Sequence, residues 1–236
     1  MRAEASDKAE MVNQLLYGEP LEILEQQKKW SYIRLGHDQY EGWVDNKQIQ
    51  TITNAQYQHL QAQSPSLCNE FMEMVDTGNG WLSIPLGARV DVAELIGHSY
   101  AGESLSGAIQ KAALIETALL YLNTPYLWGG RSPFGIDCSG FTQMVYRLNG
   151  HRILRDASQQ ATQGDALSFI EESEPGDLAF FDNEEGNIIH VGIMLEDNHI
   201  IHAHGKVRID RIDHSGIFNS DTQQHSHSLR VIKRIV

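Results

Sequence analysis

The sequence has few basic residues and no long apolar segment, and each shortage narrows what the chain can do. Lysine and arginine together number 18 against 31 acidic residues, which gives a net charge of −13 over 236 residues. Nucleic-acid binding needs a basic face, so this charge argues against a nucleic-acid partner and is compatible with cationic substrates or with solubility alone. The apolar runs are only a few residues long, so no membrane span is expected.

The chain contains only two cysteines, Cys68 and Cys138, which lie far apart in the sequence. Neither belongs to a CxxC pair, and two cysteines do not form the even ladder that indicates a disulfide framework or a zinc site. We therefore expect two cysteines with unrelated roles, with a single structural disulfide as the alternative. No cofactor and no metal are predicted.

The first residues do not have the pattern of a signal peptide. Arg2, Glu4 and Asp7 interrupt the apolar segment that a signal peptide requires. The sequence as it stands therefore predicts a cytoplasmic protein, and a periplasmic or secreted one if a signal peptide has been removed. A monomer is expected, although the sequence does not determine the oligomeric state.

Residues 1–105 have the pattern of short β-strands. The segments that suggest strands are Leu21–Leu24, Trp30–Leu35, Gly42–Val44, Trp81–Pro85 and Val90–Ala93. Residues 55–75 show a mixed pattern, with Pro65 as a break. Strands this short and closely spaced favour small barrels over a parallel sheet.

Near residue 104 the pattern changes to that of a helix. The apolar residues at helical spacing are Ala112, Ile115, Leu119 and Leu122. Ser104 or Ser106 is available as the N-cap, and Thr124-Pro125 ends the helix. A glycine-rich loop, residues 128–135, follows.

A second helix is predicted to begin at Cys138, with Asp137 as its N-cap and Gly150 near its C-terminal end. The residues of its apolar face are Cys138, Phe141, Val145 and Leu148. After Pro175-Gly176-Asp177 the chain returns to strands, over 178–181, 188–195, 199–202 and 207–212. Residues 223–227 have the composition of a solvated loop.

Cys138 is the candidate nucleophile. A thiol at the start of a helix lies near unpaired N–H groups and the positive end of the helix dipole, which favour the thiolate. With an imidazolium nearby, such a site can lower a cysteine pKa from about 8.5 to roughly 3.5–7.5. The alternative interpretation is that Cys138 is a small buried apolar residue at a helix start.

A cysteine nucleophile needs a base, and the base needs a residue that orients its ring. His190 begins one apolar strand and His202 ends the next apolar run. Two antiparallel strands joined at Glu196-Asp197-Asn198 would place these two histidines side by side. Several other histidines, His214, His225 and His227, are expected to be solvated surface residues.

Several motifs in the second half occur in a characteristic order. They are Asp137-Cys138-Ser139-Gly140-Phe141, then Pro175-Gly176-Asp177-Leu178, then His190-Val191-Gly192-Ile193, then Ile201-His202-Ala203. Over about residues 106–236 the chain resembles the NlpC-type cell-wall cysteine peptidases. The resemblance implies an α+β papain-like domain with Cys138 as nucleophile, His190 as base and His202 as the orienting residue.

The N-terminal half extends this resemblance to the YkfC-type γ-D-glutamyl-L-diamino acid endopeptidases. Residues 10–19 and Tyr40-Glu41-Gly42-Trp43-Val44 resemble the first of their bacterial SH3-like barrels. The resemblance implies two small all-β SH3-like barrels, at 1–52 and 53–105, before a catalytic domain at 106–236. In that group the first barrel narrows the choice of substrate, whereas the alternative is a generic targeting module.

The resemblance also implies a substrate, a short murein stem peptide with a free L-Ala amine followed by γ-D-Glu. The substrate-binding residues that it implies are Tyr40, Trp128, Asp137, Ser139, Arg155 and Asp156. A buried ammonium needs an oxygen-rich partner, so Asp137 and Tyr40 are the expected acceptors, with Glu10 as a third. Ala157 stands where a hydroxyl residue is often found, so whether Ala157 or Ser158 lines the pocket is left open.

The resemblance therefore implies a cysteine endopeptidase that hydrolyses the γ-D-glutamyl-L-diamino acid bond of released peptides in peptidoglycan recycling. The first alternative is a secreted endopeptidase or an amidase of the same scaffold that acts on intact peptidoglycan. A zinc hydrolase using His199, His202 and His204 lacks the further ligands that zinc normally gathers. A non-catalytic wall-binding protein would not require an intact Cys138. The diamino acid, diaminopimelate or lysine, is left open.

Overall fold

The computed structural model describes residues 1–107 and 110–236. The chain forms two compact units, Met1–Ala108 with Trp128–Pro133, and Ile109–Leu127 with Phe134–Val236. Within the described ranges, no helix combines the length and the apolar character that a membrane crossing requires.

The first unit begins with an antiparallel sheet of three strands, β1 (Leu21–Gln26), β2 (Trp30–Leu35) and β3 (Glu41–Asp45). These strands confirm the predicted ones. Alternate residues of β2 are buried, and Ile33 and Leu35 form a small core with Val44 of β3. Tyr40 and other partly buried side chains pack against this core.

The rest of the first unit contains a helix, α1 (Asn54–Ala62), and several short strands. They are β4 (Leu67–Cys68), β5 (Met72–Asp76), β6 (Trp81–Pro85), β7 (Ser99–Tyr100) and β8 (Ser104–Leu105). β5 lies between β6 and β7, and β4 pairs with β8. The pattern over 55–75 did not predict α1, although Thr53 and Gln56 form the capping box that marks its start.

The predicted strand Val90–Ala93 is wrong. These residues are buried in turns that lead into the 3₁₀ helix Glu94–Ile96. Arg89 is anchored here by Asp91 and by the carbonyl of Leu60, so the chain turns where an apolar run suggested a strand. Whether residues 53–105 form a second SH3-like barrel stays a prediction.

The second unit contains helices α2 (Ala113–Leu120), α3 (Cys138–Leu148) and α4 (Ala157–Gln160). Two further short strands flank residues 133–134 of the loop, β9 (Arg131–Ser132) in the first unit and β10 (Gly135–Ile136) in the second. α3 begins and ends as predicted, with Asp137 as N-cap and Gly150 in the left-handed conformation beyond Asn149.

The predictions for α2 are wrong in two respects. Ser104 lies in β8 and the helix starts after Ala112 without a side-chain cap, so neither proposed serine caps it. Its buried residues are Leu114 and Ala118, whereas Leu119 and Leu122 of the predicted apolar face are exposed. Apolar residues lie on nearly every face of this helix, so periodicity does not select the buried one. Residues 108 and 109, which the predicted helix would include, lie outside the described residues.

The second unit is built around a seven-stranded antiparallel sheet. Its strands are β11 (Asp165–Leu167), β12 (Leu178–Asp182), β13 (Ile188–Met194), β14 (His199–His204), β15 (Lys206–Asp213), β16 (Gly216–Asn219) and β17 (Gln224–Arg234). β12 to β16 pair in chain order, and β17 pairs with β12 along one part and with β16 along another, so the sheet closes on itself. Residues 224–227, predicted as part of a loop, belong to β17.

Helix α3 packs against β13 and β14. Every residue of α3 is buried, as are the last five residues of β13, which explains the apolar run in that strand. This packing brings the first turn of α3 to the strands that carry His190 and His202.

Candidate active site

The start of α3 holds the candidate nucleophile. Asp137 is extended, and its carboxylate accepts a hydrogen bond from the Gly140 N–H at 2.6 Å, as an N-cap does. Cys138 is the first helical residue and is buried. The backbone N–H groups of Val191 and Ser139 lie close enough to its sulfur to favour the charged form of the thiol. The first of these contacts places the thiol beside the residue that follows His190.

The electrostatics at Cys138 differ from the sequence-based expectation of a resting thiolate. Burial, followed by the negative charge of Asp137, raises the pKa of the Cys138 thiol to about 12. Hydrogen bonds from Val191 and Ser139 and the charge of Arg155 act in the opposite direction but do not outweigh them. The resting enzyme therefore holds a neutral thiol, and a base must take its proton during the reaction. Cys68 is also free and buried, so the two cysteines form no disulfide.

His190 and His202 lie side by side on neighbouring strands, as the strand pattern predicts. β13 and β14 pair antiparallel through a tight turn in which Asp197 and Asn198 both have positive φ. Nε2 of His190 lies 2.8 Å from Nδ1 of His202, and the two rings are nearly perpendicular. Gly192 stands opposite His202, and a Cβ there would lie 2.9 Å from the His202 Cβ, so glycine leaves room for the ring.

A carboxylate that the sequence analysis missed lies beyond His202. Oδ2 of Asp210, on β15, is 3.0 Å from Nε2 of His202, and both side chains are almost completely buried. Arg208 donates to Asp210 from Nε at 2.6 Å and from Nη2 at 2.8 Å. The alternation of β15, in which Arg208 and Asp210 share a face, is the sequence signal for this pair.

A third histidine of the site, His227, contradicts the expectation of a solvated side chain. It is half-buried, and its ring stacks on that of His190 with centroids 4.2 Å apart. Oγ of Ser226 lies 2.8 Å from its Nδ1, and the ring of His204 meets it edge-on at 5.0 Å. His225, by contrast, is exposed as expected.

His190, His202 and His227 are neutral at pH 7 because burial lowers the pKa of each ring. Burial, and then the neighbouring His202, His227 and His204, hold the pKa of His190 well below 6.5. Burial lowers the pKa of His202 more than Asp210 raises it, and burial lowers that of His227 to about 4. Among residues 1–107 and 110–236, no three side chains of histidine, cysteine, aspartate or glutamate gather closely enough to hold a metal ion.

Three of the predicted substrate-binding residues form one buried group at the start of α3. Arg155 bridges to both carboxylate oxygens of Asp137, at 3.0 and 2.7 Å, and donates to the Ser139 hydroxyl at 2.9 Å. Bidentate pairing of this kind fixes the carboxylate beside Cys138. Asp156 is the N-cap of α4, and after it Ala157 is buried whereas Ser158 is exposed.

Tyr126 is a further residue near the thiol that the sequence analysis did not select. Burial, and then the charges of Cys138 and Asp137, raise the pKa of its hydroxyl, so the phenol lies near both groups and stays protonated. A backbone bridge between Tyr126 and Ile136 holds it next to the start of α3. Its place directly after Thr124-Pro125 and before the glycine-rich loop is the only sequence signal for it.

The other predicted substrate-binding residues, Tyr40 and Trp128, belong to the first unit. Trp128 is exposed, and its Nε1 donates to Glu10 at 2.6 Å. Its loop is anchored within that unit by a fully buried ion pair between Arg131 and Glu19, with nitrogen and oxygen 2.9 Å apart. The role of Tyr40, Trp128 and Glu10 toward a substrate stays a prediction.

Comparison with known proteins places these residues in a family. Residues 123–226 match the NlpC/P60 family, and residues 1–49 match the bacterial dipeptidyl-peptidase SH3 domain. Dipeptidyl-peptidase 6 of Lysinibacillus sphaericus is 30% identical in an alignment that is 234 positions long and covers 85% of this chain and 83% of that protein. The chain belongs to the NlpC/P60 family.

Membership of the NlpC/P60 family makes the chain a cysteine peptidase. The γ-D-glutamyl-L-lysine dipeptidyl-peptidase of Bacillus subtilis is 29% identical over 80% of this chain and 71% of its own length. A crystal structure of an NlpC/P60 family protein from Bacillus cereus superposes with a TM-score of 0.72 at 21% identity, over 95% of this chain and 82% of that one. The predicted α+β fold with an SH3-like domain at the N-terminus is confirmed.

Proposed function

We propose that the enzyme hydrolyses the bond between γ-D-glutamate and an L-diamino acid in murein stem peptides that carry a free N-terminal L-Ala. Cys138 is the nucleophile, His190 the base and His202 the residue that orients the base. The observation that carries this proposal is the buried His190–His202 pair, which lies on the two strands against which the helix that begins at Cys138 packs. The substrate class is supported by the names of the relatives described above.

The chemistry follows from the neutral state of the thiol and the imidazole. As the sulfur of Cys138 attacks the γ-carbonyl carbon, its proton passes to His190, and the dipole at the start of α3 favours the developing charge. His190 then gives that proton to the leaving amine, and a thioester to Cys138 remains. Water, deprotonated by His190, attacks the thioester and releases the dipeptide L-Ala-γ-D-Glu and the thiol.

The free amine of the substrate is assigned to Asp137, with Tyr40 as a second acceptor. Asp137 is already held by Arg155, so its carboxylate is fixed in direction before the ammonium arrives. A requirement for this amine restricts the enzyme to peptides already released from the wall. We therefore assign the enzyme to peptidoglycan recycling in the cytoplasm.

The direct test is to incubate the enzyme with L-Ala-γ-D-Glu-diaminopimelate and its lysine counterpart and to identify the products by mass. Release of L-Ala-γ-D-Glu supports the proposal, and the faster of the two peptides identifies the diamino acid. The Cys138→Ala variant is the control for contaminating peptidases. Cleavage of intact peptidoglycan with no cleavage of the free peptides would instead favour a wall-remodelling endopeptidase or amidase.

A further inference from the structure

We infer that Asp210 is a positioning residue that fixes the tautomers of His202 and His190, and so leaves Nδ1 of His190 unprotonated to receive the thiol proton. The inference deepens the proposed function and rests on it for the roles of Cys138 and His190. It extends the catalytic series by one residue, to cysteine, histidine, histidine and aspartate.

The first step is the state of Asp210. Burial disfavours its charge, but hydrogen bonds from His202 and Arg208 outweigh burial and lower the pKa of Asp210 to about 2. Arg208 is itself held by Asp221, at 2.8 Å, and lies near the amide oxygen of Asn219. Asp210 is therefore an ionised carboxylate at neutral pH, which can only accept hydrogen bonds.

The second step concerns His202, whose Nε2 lies 3.0 Å from the carboxylate of Asp210. An unprotonated Nε2 would set a lone pair against an anion, so Nε2 must carry the proton and donate it. Because His202 is neutral at pH 7, its other nitrogen, Nδ1, has no proton. Nδ1 of His202 is therefore a hydrogen-bond acceptor.

The third step carries this constraint to His190. Its Nε2 lies 2.8 Å from the accepting Nδ1 of His202, so Nε2 of His190 must donate. A neutral imidazole with a proton on Nε2 has its lone pair on Nδ1. That nitrogen is the base of the site. The other titratable rings beside it, His204 and His227, lie on the same sheet.

We call the hydrogen bonds from His190 to His202 and from His202 to Asp210 the relay. Replacing Asp210 with asparagine tests the relay because an amide can donate where the carboxylate can only accept. A donated hydrogen bond to Nε2 of His202 reverses both tautomers and puts a proton on Nδ1 of His190. In serine proteases the same aspartate-to-asparagine change, through a wrong tautomer, lowers kcat about 10⁴-fold. We expect Asp210→Asn to lower kcat by roughly 10²- to 10⁴-fold, with KM changed less than about threefold because binding groups are untouched.

The chain offers a matched control on the same strand. Asp213 at the end of β15 pairs with His225 at 3.0 Å, but both side chains are exposed and lie outside the candidate site. Asp213→Asn removes the same kind of aspartate–histidine contact and should leave kcat and KM unchanged. A similar loss in both variants would show an effect of charge or folding and would contradict the inference.

A second background separates the tautomer role from a structural one. In His202→Asn, the amide oxygen accepts from Nε2 of His190 whatever occupies position 210, so the relay no longer passes through Asp210. Adding Asp210→Asn to this variant should lower kcat less than about threefold. Because the same change should lower kcat far more in the wild type, a double-mutant cycle should show strong coupling between the two positions. An equal loss from Asp210→Asn in both backgrounds would overturn the inference.

The decisive readout is ¹⁵N NMR of the histidine rings in the full chain without substrate. The wild type should show His190 protonated on Nε2 alone, and Asp210→Asn should show it protonated on Nδ1. A wild-type His190 protonated on Nδ1 would refute the inference even if Asp210→Asn did not fold. This measurement uses no substrate, so its result does not depend on the peptide assay. If the enzyme cleaved none of the proposed peptides, the ring protonation states would still test the relay.

Discussion

The ring of His227 lies nearly parallel to that of His190, with centroids 4.2 Å apart and planes 24° apart. This contact covers one face of the proposed base and limits its rotation, since His202 already holds its Nε2. The pairing of β17 with both β12 and β16 fixes the position of His227, so closure of the sheet supports the geometry of the site.

We expect His227→Ala to lower kcat several-fold, because the ring of His190 gains freedom and contact with water. His227→Phe should restore most of the rate, since an aromatic ring can keep the stack without a titratable nitrogen. His225→Ala, two residues away and exposed, is the control. The measurement is kcat and KM for each variant, and a loss in His227→Phe as large as in His227→Ala would mean that stacking is not the reason.

The two cysteines should differ completely in their effect on activity. Cys138→Ala should abolish hydrolysis and leave thermal unfolding near that of the wild type, because a small side chain at a helix start removes little packing. Cys68→Ala should keep near wild-type rates, since Cys68 lies in the first unit, paired with a strand and remote in sequence from any proposed base. Equal losses in the two variants would refute the assignment of the nucleophile.

Replacing His190 should lower activity more than replacing His202. His190→Ala should remove nearly all activity, because the proposed acceptor of the thiol proton disappears with the ring. His202→Asn should lose less, since its amide oxygen can still accept from Nε2 of His190, as in cysteine–histidine–asparagine sites. The comparison of kcat values in the two variants checks this order, and a larger loss in His202→Asn would exchange the two roles.

Much of this site could be predicted because its parts lie within continuous elements. The cap at Asp137, the helix that begins at Cys138 and the hairpin that carries His190 and His202 each follow from local sequence, through capping, periodicity and a short turn. The proximity of the hairpin to the helix then followed from the resemblance to a known family. Local patterns are informative where one element sets the geometry.

The residues that were missed depend on contacts between elements. Asp210 is one of several charged positions on β15, and the pairing that sets Arg208 opposite His202 and Asp210 diagonal to it is known only from the structure. His227 lies in a polar segment, which composition assigns to a loop, because most of its neighbours on β17 face solvent. The pKa of Cys138 depends in the same way on burial by the strands that cover it, which a helix start alone does not reveal.

The raised pKa of Cys138 predicts a specific dependence of alkylation on pH. A thiol with a pKa of about 12 is protonated below that value, so its thiolate fraction rises about tenfold per pH unit between pH 6 and 9. The iodoacetamide rate of Cys138, measured in Cys68→Ala so that only one thiol reports, should rise in the same way. A preformed thiolate–imidazolium pair would instead give a fast rate that is nearly constant from pH 6 to 8, and that result would contradict a neutral resting pair.

The amine requirement gives the last prediction. If Asp137 and Tyr40 receive the ammonium of L-Ala, acetylation of that amine removes a charge-assisted hydrogen bond. Loss of a hydrogen bond to a charged group costs about 1.5–3 kcal/mol, which corresponds to roughly a tenfold to more than hundredfold decrease in kcat/KM. The measurement compares L-Ala-γ-D-Glu-diaminopimelate with its N-acetylated form.

Tyr40→Phe separates the two acceptors in the same assay. It should slow cleavage of the free peptide and leave the slow cleavage of the acetylated peptide unchanged, because the acetylated peptide has no ammonium for the hydroxyl to bind. The difference between the two substrates should therefore narrow in this variant. If the wild type cleaved both peptides at comparable rates, the amine would not be recognised, and a secreted enzyme acting on intact peptidoglycan would explain the site better than a recycling peptidase.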